Sequence, residues 1–389
     1  MPARTPQTAP KTAAKAAPRA AKAATKTKKA TPQKVGQALP WARHVVCFWK
    51  QNDLGLFGRR PDRWIEYWRQ HPEVEKVLVF EPPMSQAQLQ EMLRLATTLD
   101  KASASEFQLL LQQATRKLLG QCDDGKVQYC TYLPAEGPQA AGPQYLRWVL
   151  AQCQQAGVDQ PLVVLWPACF ANEALVQKLA PSQVLVDLVD DQRLFPGNQG
   201  QRQAITDQYQ TFIRLGHRVV SNATGLIESF SQEFGRELEH LPNALLPMLP
   251  AGHAIAPVTK DRARPVVGYV GNLRGRIDVD TLTHVMQRHP EWDFWFVGQT
   301  HRSAFYQAAR ALPNARFWGT LDHARAGAVM AQFDVAIVPF VSDALVRSMS
   351  PIKLDDYHRS ERPTVVLDPE NKKGFEPALL EALKKRRSG

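Results

Sequence analysis

The chain has 389 residues, 44% of them hydrophobic, and a formal net charge of +11. That length favours two domains over one, and no uninterrupted apolar run approaches the roughly 18 residues that a membrane span needs. The opening segment MPARTPQTAP lacks the apolar stretch of a secretion signal, so residence in the cytoplasm is expected.

The location of the charge matters more than its size. Residues 1–38 carry nine Lys and Arg and no acid, which leaves 39 basic against 37 acidic residues in the rest. The body of the protein therefore gives no charge signal for nucleic acid. The first 38 residues are almost entirely Ala, Lys, Thr, Pro and Gln, with no aromatic or branched aliphatic residue before Val35. Such a segment cannot offset the entropy of ordering and is expected to be a disordered arm. Four uses are open: a solvated tail without a specific partner, a tether to an anionic membrane surface at the inner face, attraction to nucleic acid, and a transit peptide, although these favour Arg and Ser. The five cysteines, Cys47, Cys122, Cys130, Cys153 and Cys169, are widely spaced and form no C-x-x-C pair, so free thiols are expected and a structural metal is not.

From Arg43 onward, short apolar runs alternate with longer amphipathic stretches, the pattern of β-α repetition and a parallel sheet. The expected strands of the first half are HVVCFW (44–49), KVLVFE (76–81), VQYCTYL (127–133), PLVVLW (161–166), QVLVDLVD (183–190) and HRVVSN (217–222). Helical patterns such as PDRWIEYWRQH and QYLRWVLAQCQQAG separate them. A second series comprises PVVGYVGN (265–272), WDFWFVG (292–298), ARFWG (315–319), DVAIVPF (334–340) and TVVLD (364–368). Between the series, residues 246–264 are rich in Pro and Ala and poor in periodicity, so the interdomain linker is expected there. The expected fold class is thus α/β, with two Rossmann-like domains at 39–255 and 256–389 behind the 1–38 arm. The final EPALLEALKKRR reads as one amphipathic helix with acid first and base last, free to pack back across the other domain.

Two segments carry candidate chemistry. In PVVGYVGNLRGRIDVDTL, an apolar strand leads into Gly271, Asn272 and Gly275 and then a helix. A glycine turn there frees backbone N–H groups for a phosphate, and Arg274 and Arg276 add charge beside them. An ordinary strand-to-helix turn reads the same way. In DVAIVPFVSDALVRSMSPIKLDDYHRSERPTVVLD, Pro351 suits a first helical position with Ser350 as its cap, and Lys353 and Asp356 lie three residues apart near the helix start. They suit a nucleotide diphosphate and its ribose, or a surface ion pair.

The runs GYVGNLRGRIDVDTL, HPEWDFWFVG, LPNARFWGTLD, FDVAIVPF and SPIKLDDYHRSERPTVV resemble, in order and spacing, the donor-binding half of family 4-like GT-B glycosyltransferases, in the branch typified by teichuronic acid biosynthesis. The first half adds HVVCFWKQNDLGLFGRRPDRW, the EPP of VLVFEPPMS, VLVDLVDDQRLF, RVVSNATGLIESF and LPNALL, so the resemblance spans 43 to about 368. It implies a nucleotide diphosphate sugar as donor substrate with no separate cofactor, a glycan or lipid-linked hydroxyl acceptor, transfer with retention, and no metal. Gly271, Asn272 and Arg276 match the phosphate-facing loop, and Lys353 and Asp356 match the lysine and acid of S-P-x-K-L-x-E-Y. The family has Glu where this chain has Asp356, a further Glu where it has Ser348, and an N-G turn where it has Asn243-Ala244.

In the first half, Gly55 and Gly58 with Arg59 and Arg60 follow the first strand, in a loop that faces the cleft of this fold. The two arginines can neutralise a leaving diphosphate or form a solvated basic loop. Asp187, Asp190 and Asp191 match a D-x-x-D-D motif at the cleft, where acids can orient acceptor hydroxyls or cap the following helix. A sugar-nucleotide epimerase and a non-catalytic scaffold of the same fold are the rival functions.

Overall fold

The computed structural model describes residues 38–134, 142–249 and 264–387. The expected arm at 1–38 except its last residue, most of the expected linker at 246–264 and the expected domain boundary at 255/256 lie outside the described residues. Both sheets belong to one unit, residues 40–389.

The first sheet contains β1 (His44–Phe48), β2 (Lys76–Phe80), β3 (Val127–Cys130), β4 (Leu162–Leu165), β5 (Gln183–Leu188), β6 (Arg218–Ser221) and β7 (Glu239–His240). Its strand order is β3-β2-β1-β4-β5-β6-β7, parallel throughout. The second contains β8 (Val266–Val270), β9 (Asp293–Val297), β10 (Ala315–Gly319), β11 (Val335–Val338) and β12 (Thr364–Val366), in the parallel order β10-β9-β8-β11-β12. Central strands such as Val45–Phe48 and Leu162–Leu165 are fully buried. Helices on both faces require that, and it is why these strands read as unbroken apolar runs.

The helices of the first half are α1 (Arg60–Gln70), α2 (Gln86–Thr98), α3 (Lys101–Leu118), α4 (Gly142–Gln155), α5 (Glu173–Lys178), α6 (Arg202–Leu215) and α7 (Thr224–Phe234). Those of the second are α8 (Val279–Arg288), α9 (Ala304–Ala309), α10 (His323–Met330), α11 (Ala344–Arg347), α12 (Ile352–Arg359) and α13 (Phe375–Arg387). The expectation that the last helix crosses to the other domain is corrected. Phe375, Leu379 and Leu383 of α13 are buried in the core of the second sheet, because its apolar stripe matches the face left open beside β11 and β12.

In each sheet the strand order reverses once, between β1 and β4 and between β8 and β11. A reversal sends neighbouring crossovers to opposite faces and leaves a crevice at the strands' carboxyl ends. The loops after β1 and β8 open at these two crevices.

Candidate functional site

The loop after β1 is built around Asp62. Its carboxylate accepts from the backbone amide of Gly55 at 2.5 Å and that of Arg59 at 2.7 Å, closing the turn onto the start of α1. Burial pushes the Asp62 carboxyl up to about 6, against the pull of these two donors. Gly58 has φ +65°, and a Cβ there would lie 2.1 Å from Nδ1 of His323 on α10. The backbone N–H of His323 in turn donates to the Leu56 carbonyl at 2.9 Å. This glycine lets a helix of the second half seat on a loop of the first.

The arginines and aspartates of the first half are mostly engaged internally. Arg60 is only 2% exposed. Its Nε donates to both oxygens of Asp187 at 2.9 Å and its Nη1 to Asn243 at 3.0 Å. Asp187 also accepts from the indoles of Trp64 at 2.9 Å and Trp166 at 3.0 Å. The expected cleft roles of Arg60 and Asp187 are corrected accordingly: both are enclosed, and the carboxylate is filled by protein donors. Asp191 accepts from the backbone of Arg193 at 3.0 Å and forms an ion pair with its side chain at 2.9 Å, so of the two uses open to it the structure shows the cap. Arg59 is paired with Asp53 at 2.8 Å and donates to Gln51 at 2.6 Å. Asp190 is half-buried, and its carboxylate makes no hydrogen bond among the described residues.

The turn after β8 is shaped by backbone crowding. Gly271 has φ +142° and Gly298 has φ +145°, and a Cβ on Gly298 would lie 1.8 Å from the Gly271 carbonyl oxygen. The Asn272 side chain accepts from the backbone amide of Arg274 at 2.8 Å, which pins the turn. Arg274 reaches sideways, donating to Gln299 and standing 3.7 Å from Glu106 of α3. The Arg276 guanidinium lies 5.4 Å from the ring centre of Phe195, which follows β5, and it makes no hydrogen bond or ion pair among the described residues.

Lys353 on α12 donates to the Tyr269 hydroxyl at 2.7 Å and lies 4.2 Å from the centre of that ring and 4.6 Å from that of Phe340. Burial, reinforced by Arg276, holds its ammonium well below the usual lysine range, against the attraction of Asp356. The possible Lys353–Asp356 surface pair does not form. Asp356 pairs instead with Arg63 of α1, whose side chain is fully buried. Burial raises the Asp356 carboxyl, with Arg63 and His323 opposing. Ser350 does not cap α12, because the helix begins one residue later than expected and Pro351 occupies the cap position. The Ser350 carbonyl instead accepts from Asn222 at 3.2 Å and Asn243 at 3.4 Å.

The sequence reading missed several groups that shape this region: Lys50, Arg63, Glu106, Phe195, Tyr269 and His323. Lys50 and Arg63 belong to the run HVVCFWKQNDLGLFGRRPDRW, where spacing alone does not set them apart from Arg59 and Arg60. Glu106 belongs to α3, whose first two turns meet the second half at several points. Ser103 lies 3.2 Å from the Thr300 hydroxyl, Ser105 accepts from the Thr320 amide at 2.7 Å, and Tyr306 donates to Asp100 at 2.8 Å. The cap residues Ser85 and Asp100 were the available signal for the α2–α3 pair.

No family model matches the chain. Over 110 residues it is 25% identical to the TuaH protein of Bacillus subtilis (strain 168), named as a glycosyltransferase of teichuronic acid biosynthesis. The match covers 28% of this chain and spans 28% of the length of that relative. A glycosyltransferase from Rickettsia africae ESF-5 superposes with a TM-score of 0.50 at 7% identity, covering 88% of each chain. The apo lipopolysaccharide outer core galactosyltransferase WaaB gives 0.45 at 12% identity, with 88% of this chain and 90% of that chain covered. The two parallel sheets with loops meeting at their carboxyl edges are the GT-B arrangement, and the Rickettsia structure shares that fold.

Proposed function

We propose that the chain is a glycosyltransferase that moves a sugar from a nucleotide diphosphate sugar to a hydroxyl acceptor in cell-surface glycan synthesis. The observation that carries this reading is the crowded Gly271 turn at the crevice of the second sheet, with the unpaired guanidinium of Arg276 beside it. Backbone N–H groups and a cation at the carboxyl edge of a parallel sheet suit a diphosphate. The chemistry would be charge stabilisation: Arg276 and Lys353 meet the negative charge that grows on the leaving diphosphate. Asp356 would take the ribose through Oδ2, which no hydrogen bond engages among the described residues. The acceptor would approach from the loops of the first sheet, and the contacts between halves would keep water from the donor. Retention of configuration and independence from metal are part of the proposal and rest on the family resemblance.

An epimerase needs an acid and a base in the cleft. With Asp187 enclosed and Asp191 capping, only Asp190 of the three aspartates stays open, which favours the transferase. The test is a thermal-shift screen of the full chain against UDP, GDP, ADP and TDP. A ligand at a hundred times its dissociation constant stabilises by about 2.7 kcal/mol. Stabilisation by one of the four is expected, followed by sugar release that depends on an added acceptor. No stabilisation by any of them would overturn the reading in favour of a scaffold, and sugar conversion without acceptor would favour the epimerase.

A further inference from the structure

A cation of the first sheet faces the same region. Lys50 stands two residues beyond the end of β1, at the crevice where the strand order of that sheet reverses. Its ammonium lies 5.2 Å from the centre of the Trp49 ring and 5.5 Å from that of Phe195. Arg276 lies 5.4 Å from the same Phe195 ring. One aromatic side chain therefore carries one cation from each sheet.

Four neighbouring arginines are already paired with carboxylates. Arg59 is paired with Asp53, Arg60 with Asp187, Arg63 with Asp356 and Arg274 with Glu106. The side chains of Lys50 and Arg276 make no hydrogen bond and no ion pair among the described residues. Two like charges held without partners in a half-buried place repel each other and are relieved by an anion between them. The Lys50 ammonium shows the strain. Burial first, then Arg59 and Arg276, push it down to about 8, against the attraction of Asp190 and Asp53.

We propose that Lys50 is a third diphosphate-binding cation beside Arg276 and Lys353, reaching the donor from the first sheet opposite Arg276, with Phe195 as the platform that positions Lys50 and Arg276. This rests on the donor site proposed above and adds that the leaving group is held by both sheets. The two charges would meet it together, and its departure would release a tie between the halves.

Calorimetry on the full chain tests this with inorganic pyrophosphate, which probes the diphosphate without a base, beside the nucleoside diphosphate found in the screen. Lys50→Ala should weaken both about tenfold or more, as loss of a charge-assisted contact does. Lys50→Arg should stay within about threefold. Wild-type affinity should fall as pH rises through about 8, since the ammonium is present below that value and lost above it. Lys50→Arg should lessen the fall relative to the wild type, because a guanidinium stays charged while Lys353 is the same in both proteins. Wild-type affinity in Lys50→Ala while Arg276→Ala is weakened would overturn the role of Lys50 and leave the donor site standing. Absence of binding to every probe by the wild type would remove the donor site and this inference with it. Should Lys50→Ala fail to fold, Lys50→Gln and the pH profile of Lys50→Arg decide the matter.

Discussion

Arg60 and Arg276 each follow a glycine-bearing turn at the carboxyl edge of a parallel sheet, yet their surroundings differ. Arg60 is 2% exposed and bonded to Asp187 and Asn243, while Arg276 is half-buried and rests on the Phe195 ring without an ion pair among the described residues. The difference lies in what the helix start points at. Arg60 is the first residue of α1 and is directed inward, where a guanidinium persists only if it is paired. Arg276 precedes its helix and is directed across the crevice, where a charge can wait for a ligand. The same residue type at matching places in two sheets thus fastens the protein in one and is left without an ion partner among the described residues in the other.

The sharpest way to break this comparison is Asp187→Ala. It leaves the Arg60 charge uncompensated and removes the acceptor of two buried indoles. Breaking a buried pair from one side costs about 3–5 kcal/mol, so the urea midpoint should fall far below that of the wild type. Wild-type stability with abolished sugar transfer would reverse the assignment and return Asp187 to the chemistry.

At the proposed donor site, the turn can be disturbed without touching a charge. A methyl group at Gly298 would collide with the Gly271 carbonyl, so Gly298→Ala forces the turn to move. Stability should drop by about 1–3 kcal/mol, and nucleoside diphosphate binding should be lost. Gly275 also has positive φ, at +67°, but a Cβ there meets nothing within 4 Å. Gly275→Ala should therefore cost only about 1–2 kcal/mol of backbone strain and keep binding. If the two variants bind alike, close approach of Gly271 and Gly298 is not what shapes the site.

These contrasts mark how far the sequence could be read. Strand runs such as LVVL and VVCF are legible because burial on both faces removes every polar residue. The two-residue β7 is too short and too polar to leave that signature. The Gly271 turn and its arginines could be located from spacing alone. Spacing could not separate Arg276 from Arg274, or Asp190 from Asp187, because the partners that engage Arg274 and Asp187 are distant in sequence. Glu106 lies 168 positions from Arg274, and Asp187 is 127 from Arg60. The Asp356–Arg63 pair spans 293 positions, so a motif that reads as a ribose contact says nothing of the guanidinium already holding one of its oxygens.

The smallest effect on stability, and the finest test, belongs to Asp190. Its main-chain carbonyl is fixed by the Tyr209 hydroxyl at 3.0 Å, so Asp190→Asn should leave the backbone in place and change stability by no more than about 0.5 kcal/mol. The consequence lies in Lys50, whose charged form Asp190 favours. Without that carboxylate the ammonium gives up its proton at a lower pH. The falling limb of pyrophosphate binding, expected near 8 in the wild type, should therefore move downward. Well below that limb, at pH 6, Lys50 is charged in both proteins, and removal of a nearby negative charge should strengthen binding about two- to fivefold at low salt. A limb that stays in place or moves upward would mean that Asp190 does not act on Lys50. If the limb is unmoved while acceptor-dependent transfer falls by a hundredfold or more, within the range for a general base, Asp190 acts on the acceptor hydroxyl. In that case the first sheet contributes an acid group to the chemistry as well as a cation.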